Sequence, residues 1–126
     1  MDLSILLVQY RPDEGELRRT LASLLRQSCR DFELVMADDG SDEDFFPLTR
    51  QILAENGFTG AKFVKLTPNG GTVKNVLNGA KQAAGKWMFT VSPGDYLYDA
   101  DTVAWLLEVL RRDAPRVAFG RLACYE

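Results

Sequence analysis

Phe32-Glu33-Leu34-Val35-Met36-Ala37-Asp38-Asp39-Gly40-Ser41 decides how this chain is read: a mostly apolar run that ends on two acids, a glycine and a serine. In an open α/β sheet, ligands bind outside the carboxyl ends of the strands, and a carboxylate after the second strand can accept hydrogen bonds from a base or ribose. The arrangement repeats downstream. Val64-Lys65-Leu66 runs into Thr67-Pro68-Asn69-Gly70-Gly71, and Trp87-Met88-Phe89-Thr90-Val91 runs into Ser92-Pro93-Gly94-Asp95. Three strand ends therefore carry polar, glycine-containing loops.

Outward from that stretch, Leu3 to Val8 is apolar except for Ser4, as expected of a strand buried on both faces of a parallel sheet. Pro12 and Asp13 then open a helix whose Leu17, Leu21, Leu24 and Leu25 share one face and should cover the sheet. Ser41 is placed to cap an acidic segment, with the helix running from about Pro47 to Glu55, and Ala61 to Leu66 reads as the third strand. Thr72 is expected to cap a further helix with Val73, Val76, Leu77, Ala80 and Ala84 on its buried face, closed by Gly85. Lys86 to Val91 forms the fourth strand. Asp101 caps a helix burying Val103, Leu106, Leu107 and Leu110, and a last strand is expected from about Val117 to Cys124. The alternation implies an α/β fold, a three-layer α/β/α sandwich around a mostly parallel central sheet.

The 126 residues are the size of one domain, large enough for a core without disulfides. A net charge of −3 offers no broad basic surface for nucleic acid. Cys29 and Cys124 have no metal or redox spacing and read as reduced, packed thiols of a cytoplasmic protein. No apolar run approaches the roughly 20 residues of a membrane span. With no histidine, Ser-His-Asp and Cys-His triads and HExxH zinc sites are excluded. Any catalysis must use Asp, Glu, Lys, Tyr or a bound ion.

Each strand-end loop has two readings. Asp38 and Asp39 serve either as solvated turn formers or as a pair in which one carboxylate reads a base or ribose and the other supports the loop or a metal. Asn69-Gly70-Gly71-Thr72 is either a flexible turn or an anion cradle of free helix N–H groups, with Lys74 adding charge one turn in. Pro93-Gly94 makes a turn unaided, while Asp95 could hold Mg²⁺ or Mn²⁺ between phosphates. Tyr10 either stacks on a base or packs at its strand end. GxGxxG and GxxxxGK[ST] are both absent, which disfavours a dinucleotide or P-loop site. A phosphorylated receiver domain is rejected by position: Gln9-Tyr10 stands where its acidic pair belongs, and Leu66-Thr67 where its phosphoacceptor belongs.

From Ser4 to about Leu110 the combination resembles the family 2 glycosyltransferases, which have the GT-A (Rossmann-like) fold. The resemblance rests on the Ser4-to-Tyr10 strand, the Leu21-to-Ser28 helix, Asp31-Phe32-Glu33-Leu34, Asp38-Asp39-Gly40-Ser41, Asn69-Gly70-Gly71, and Gly85-Lys86-Trp87 entering Ser92-Pro93-Gly94-Asp95. It implies a nucleotide diphosphate sugar donor, a UDP sugar foremost, and a glycan or lipid-linked acceptor in cell-surface polysaccharide synthesis. Asp39 would contact the base with Tyr10 beside it and Asp38 in the same pocket, while Gly71 and Lys74 lie near the donor. It also implies Mg²⁺ or Mn²⁺, but Ser92-Pro93-Gly94 replaces the family's Asp-x-Asp and leaves Asp95 as the metal ligand. An Arg-Asn pair usual in the family is replaced by Val76-Leu77, flanked by Asn75 and Asn78. Residues 1–126 then read as one donor-binding domain, the amino-terminal part of a longer cytoplasmic enzyme working at the inner face of the membrane. A degenerate, non-catalytic binding or assembly domain on the same scaffold is the alternative.

Overall fold

The structure, a computed structural model, describes residues 1–118 and 120. Its elements alternate: β1 (Leu3–Gln9), α1 (Glu14–Leu25), β2 (Glu33–Asp38), α2 (Phe46–Glu55), β3 (Ala61–Lys65), α3 (Thr72–Ala80), β4 (Trp87–Val91) and α4 (Thr102–Asp113). The strand expected from Val117 to Cys124 falls mostly outside the described residues. The four strands form one parallel sheet in the order β3-β2-β1-β4. The strong apolar runs became its centre, with five of the seven β1 residues fully apolar and Gln9 reserved for the carboxyl end.

Alternation along the strands splits the core in two. Leu3, Ile5 and Leu7 of β1 join Leu34 and Met36 of β2 under the leucines of α1, Phe46 and Leu53 of α2, and Val103 and Leu107 of α4. Leu6, Val35 and Ala37 point the other way, toward Val76 and Ala83 on the α3 side. The sheet is therefore covered on both faces, as the sequence pattern predicts.

Helix α3 corrects the sequence reading. Val73 and Leu77, expected inside, are 73% and 55% exposed, while Asn75 and Gly79 face the sheet. Two contacts set this rotation. The Asn75 Nδ2 donates to the Ala37 carbonyl at 3.0 Å. Gly79 lies so close to the sheet that an added Cβ would strike Leu6 Cδ1 and reach Ala37 Cβ at 3.0 Å. Backbone proximity and one polar anchor have overridden the apolar stripe. The expected caps differ as well. Gly71, at φ 94°, is the N-cap of α3 with no side-chain bond, so Thr72 is its first residue, and α3 ends at Ala80 rather than at Gly85. Asp101 stands at the N-cap of α4 but accepts from the Ser28 hydroxyl at 2.6 Å. Ser41 caps no helix, and Phe45 precedes α2, whose Phe46 N–H is met by Asp44.

At the amino ends of the strands, Glu33 is buried and fully engaged. It accepts from Ser4 Oγ at 2.7 Å and the Ala84 N–H at 2.6 Å, and pairs with Lys62 at 2.9 Å. Ser4 Oγ in turn accepts the Gly85 N–H at 2.8 Å, so this one carboxylate ties β1, β2, β3 and the segment entering β4. Burial alone would push the Glu33 carboxyl up, but the bonds from Lys62, Ser4 and Ala84 outweigh it and hold the group below its ordinary value. A carboxyl that titrates lower when folded stabilises fully above its unfolded value, about 4.3, and that contribution fades as pH falls through the lower folded value. Glu33→Gln is accordingly expected to cost about 1–3 kcal/mol at pH 7, with the gap to the parent narrowing toward pH 3. Urea unfolding across that range checks it; a pH-independent gap would remove the carboxylate from the explanation.

Candidate functional site

The strand order fixes where a ligand can enter. Right-handed crossovers place α1 and α2 on one face while the chain steps from β1 to β2 to β3. The return to β4, on the far side of β1, carries α3 over the other face. A crevice opens at the carboxyl ends of β1 and β4, the topological switch point. A cavity of about 340 Å³ lies there, lined among others by Gln9, Tyr10, Arg11, Asp39, Asn75 and Ser92.

The two acids after β2 take different positions. Asp38 is buried and does not line the cavity; it accepts the Gln9 Nε2 at 3.0 Å and the Ser41 N–H at 2.7 Å, fixing the end of β1 to the β2 loop. Asp39 forms part of the wall. Its Oδ1 accepts the Gly70 N–H at 2.8 Å and the Gly71 N–H at 3.2 Å, and its Oδ2 lies 3.1 Å from the same Gly71 N. The Asn69 Nδ2 donates to the Asp39 carbonyl at 2.9 Å. The amides that sequence reasoning left free for an anion are thus occupied by an anion of the chain itself. A carboxylate offers about four lone-pair sites, so Asp39 keeps acceptor capacity for a ligand. Gly40 makes the junction feasible: at φ 82°, an added Cβ would lie 2.7 Å from the Asn69 nitrogen.

Tyr10 is 44% exposed on the cavity wall, with the Arg11 guanidinium 5.0 Å from its ring centroid. The structure brings Tyr10 and Asp39 together there. Gly71, Lys74 and Asp95 are not among the lining residues. Lys74 is exposed, with its stem against Gly70. Asp95 closes its own turn: its Oδ2 accepts the Ser92 N–H and its N–H donates to the Ser92 carbonyl, both at 2.9 Å. Among the described residues, no group of three His, Cys, Asp or Glu side chains converges to hold a metal ion.

Three lining residues carried little signal in the sequence. Nothing in the sequence singled out Arg11 or Glu16, and Asn75 entered only as a neighbour of Val76-Leu77. Asn75 and Gln9 are 3% and 4% exposed, and each leaves its side-chain oxygen without a partner. A polar residue on the sheet-facing side of a helix that starts at a strand-end loop is the signal that could have found Asn75.

The sequence matches Glycosyl transferase family 2 over residues 4–126. It is similar to the PGL/p-HBAD biosynthesis glycosyltransferases of Mycobacterium bovis and Mycobacterium tuberculosis, with 35% identity over 85 residues covering 67% of this chain and 32% of theirs. The match thus spans about a third of those relatives' length. Among solved structures, the fold is similar to S. aureus TarS in complex with UDP-GlcNAc, with a TM-score of 0.72 and 25% identity over 89% of this chain and 32% of that one. It is also similar to the mannosyltransferase PcManGT from Pyrobaculum calidifontis in complex with GDP-Man and Mn²⁺, with a TM-score of 0.73 and 20% identity over 86% of this chain and 32% of that one. The α/β sheet is that of the GT-A glycosyltransferases.

The Asp39 junction makes a prediction independent of any ligand. Asp39→Ala is expected to release the Gly70 and Gly71 amides, speeding their hydrogen exchange, and to lower stability by about 1–3 kcal/mol. Unchanged exchange at both glycines would mean that the loop is held by other contacts.

Proposed function

The chain belongs to glycosyl transferase family 2, and from that premise we propose that its cavity binds a nucleotide diphosphate sugar, a UDP sugar foremost, for transfer to a glycan or lipid-linked acceptor of the cell surface. The observation that carries the reading is the meeting of Tyr10 and Asp39 on one cavity wall at the switch point of a parallel sheet. Tyr10 supplies a flat apolar face for a base, and Asp39, held still by two glycine amides, supplies an acceptor for its N–H. The UDP-GlcNAc bound by TarS supports the donor class.

Transfer needs two further functions: stabilising the diphosphate as it leaves, and taking the proton from the acceptor hydroxyl. On this reading the chain is the donor-binding part, amino-terminal in a longer enzyme, and acceptor binding and the base lie outside it. Relatives about three times the matched length support that division. The reading places the protein in the cytoplasm, where a free thiol such as that of Cys29 persists, at the inner face of the membrane when its acceptor is lipid-linked. Among the described residues, no helix is long and apolar enough to cross a membrane. A second reading, a binding or assembly domain without turnover, draws on the Ser92-Pro93-Gly94 turn, which offers no carboxylate.

Calorimetric titration of the intact protein with UDP, GDP, dTDP and CDP tests the proposal. Selective binding is expected, and Tyr10→Ala should weaken it by about 1–3 kcal/mol, the usual worth of base–aromatic stacking. Binding of none of the four removes the nucleotide reading. Binding without sugar transfer or donor hydrolysis selects the second.

A further inference from the structure

Donor binding in this fold raises the question of what meets the charge of the diphosphate. The turn after β4 is poorly suited to hold a resident divalent ion. Ser92, Pro93 and Gly94 bring no carboxylate, and Asp95 has turned back onto the Ser92 N–H at 2.9 Å. The Gly94 N–H is given to Thr20 Oγ1 at 2.9 Å, which pins the turn against α1. The Glu16 carboxylate stands over that glycine, since an added Cβ would come within 3.2 Å of Glu16 Oε2. An acid at position 94 would face a like charge. Mg²⁺ at a phosphate site is held by one or two carboxylates together with the phosphate oxygens, and the one carboxylate of this turn, Asp95, is folded onto the Ser92 N–H and does not line the cavity. The donor set does not fit the ion.

A cation is supplied elsewhere on the wall. Of the lining residues, Arg11 is the one with a positive side chain. It sits in the left-handed region at φ 45°, a conformation unusual for a residue other than glycine. Its N–H donates to Ser41 Oγ at 2.8 Å, and its guanidinium lies over Tyr10 and pairs with Asp42 at 3.1 Å. Both members of that pair are solvent-exposed, with side chains 61% and 79% accessible, so phosphate oxygens can replace Asp42 at little cost. Asp13 Oδ2 accepts the Glu16 N–H at the start of α1 and Asp39 holds the glycine loop, but both carboxylates keep their charge on the wall. Glu16 adds a like charge, which makes a fixed cation more necessary for an anionic ligand.

We propose that this site binds its nucleotide diphosphate without a divalent ion and that Arg11 supplies the countercharge. The inference rests on the nucleotide-sugar reading and adds the means by which the diphosphate is held.

The test is titration of the intact protein with UDP and, as the phosphate-free control, uridine, each in Mn²⁺ and in EDTA. The Kd for UDP is expected to agree within about twofold between the two conditions, and Arg11→Ala to weaken UDP about tenfold or more while moving uridine less than about twofold. Arg11→Gly, which suits the positive φ, should reproduce that loss with the loop intact, and Arg11→Lys should recover part of it. A tightening of UDP by Mn²⁺ of about tenfold or more overturns the inference while leaving the nucleotide reading standing. Equal losses for UDP and uridine overturn the role of Arg11, because the residue would then act through Tyr10. No UDP binding in either condition overturns the nucleotide reading and this inference with it.

Discussion

The reversal of chain direction across the sheet, from β3 at one edge back to β4 at the other side of β1, is the constraint on which the rest of the structure depends. Right-handed crossovers leave no choice about the helices: α1 and α2 must lie on one face and α3 on the other. The helices therefore diverge above β1 and β4, and a crevice is left that no side chain has to be removed to create. Every residue with a claim to function follows from its distance to that point. Gln9 and Tyr10 end β1, Ser92 follows β4, Asp39 follows β2 on the neighbouring strand, and Asn75 is carried in by α3.

The crevice is held open by acids used inside the protein. Asp38 fastens Gln9 to the Ser41 turn, and Asp39 fastens the β2 loop to the loop entering α3. Both sets are charge-assisted; those of Asp38 go to buried groups, where such bonds are strongest, and those of Asp39 to half-buried glycine amides. A wall assembled this way needs less ordering when a ligand arrives, so a larger share of the contact energy appears as affinity. The same economy explains why the glycine amides are not an empty anion site. Without Asp39 they would be unpaired donors at the start of a helix.

Much of the architecture was legible because strands covered on both faces have little freedom in composition. Leu3 to Val8 and Leu34 to Ala37 could only be central strands, and the leucines of α1 only a sheet-facing stripe. The order of elements then carried the fold. What escaped the sequence lay where backbone geometry overrides side-chain pattern. The apolar periodicity of α3 indicates Val73 and Leu77, yet a glycine close to Leu6 and an amide bonded to Ala37 turn the helix the other way. The acids after β2 were recognisable as site residues, but their partners are about 30 residues away in both directions, at Gln9 and at Gly70, and no local pattern encodes such pairings. Arg11 was silent for a different reason: its position depends on a positive φ, which sequence announces only when the residue is glycine.

The two ends of the sheet differ in how completely their buried polar groups are paired. At the amino ends, Glu33 is met by a lysine, a hydroxyl and a backbone amide. At the carboxyl ends, Gln9 and Asn75 each spend their amide N–H on the protein and leave the oxygen unpaired, two of the three unpaired buried side-chain atoms among the described residues. An unpaired buried acceptor costs about 1–3 kcal/mol, and at both residues a protein acceptor, Asp38 Oδ2 or the Ala37 carbonyl, takes the amide N–H and so fixes the oxygen as the end left over. The carboxylate at the amino end is thus fully met, while two of the unpaired oxygens stand beside the cavity and the third, Thr49 Oγ1, lies in α2. Local rules are broken where a ligand, or an ordered water it displaces, can supply the missing donor, as expected if the broken rules mark the working end of the fold.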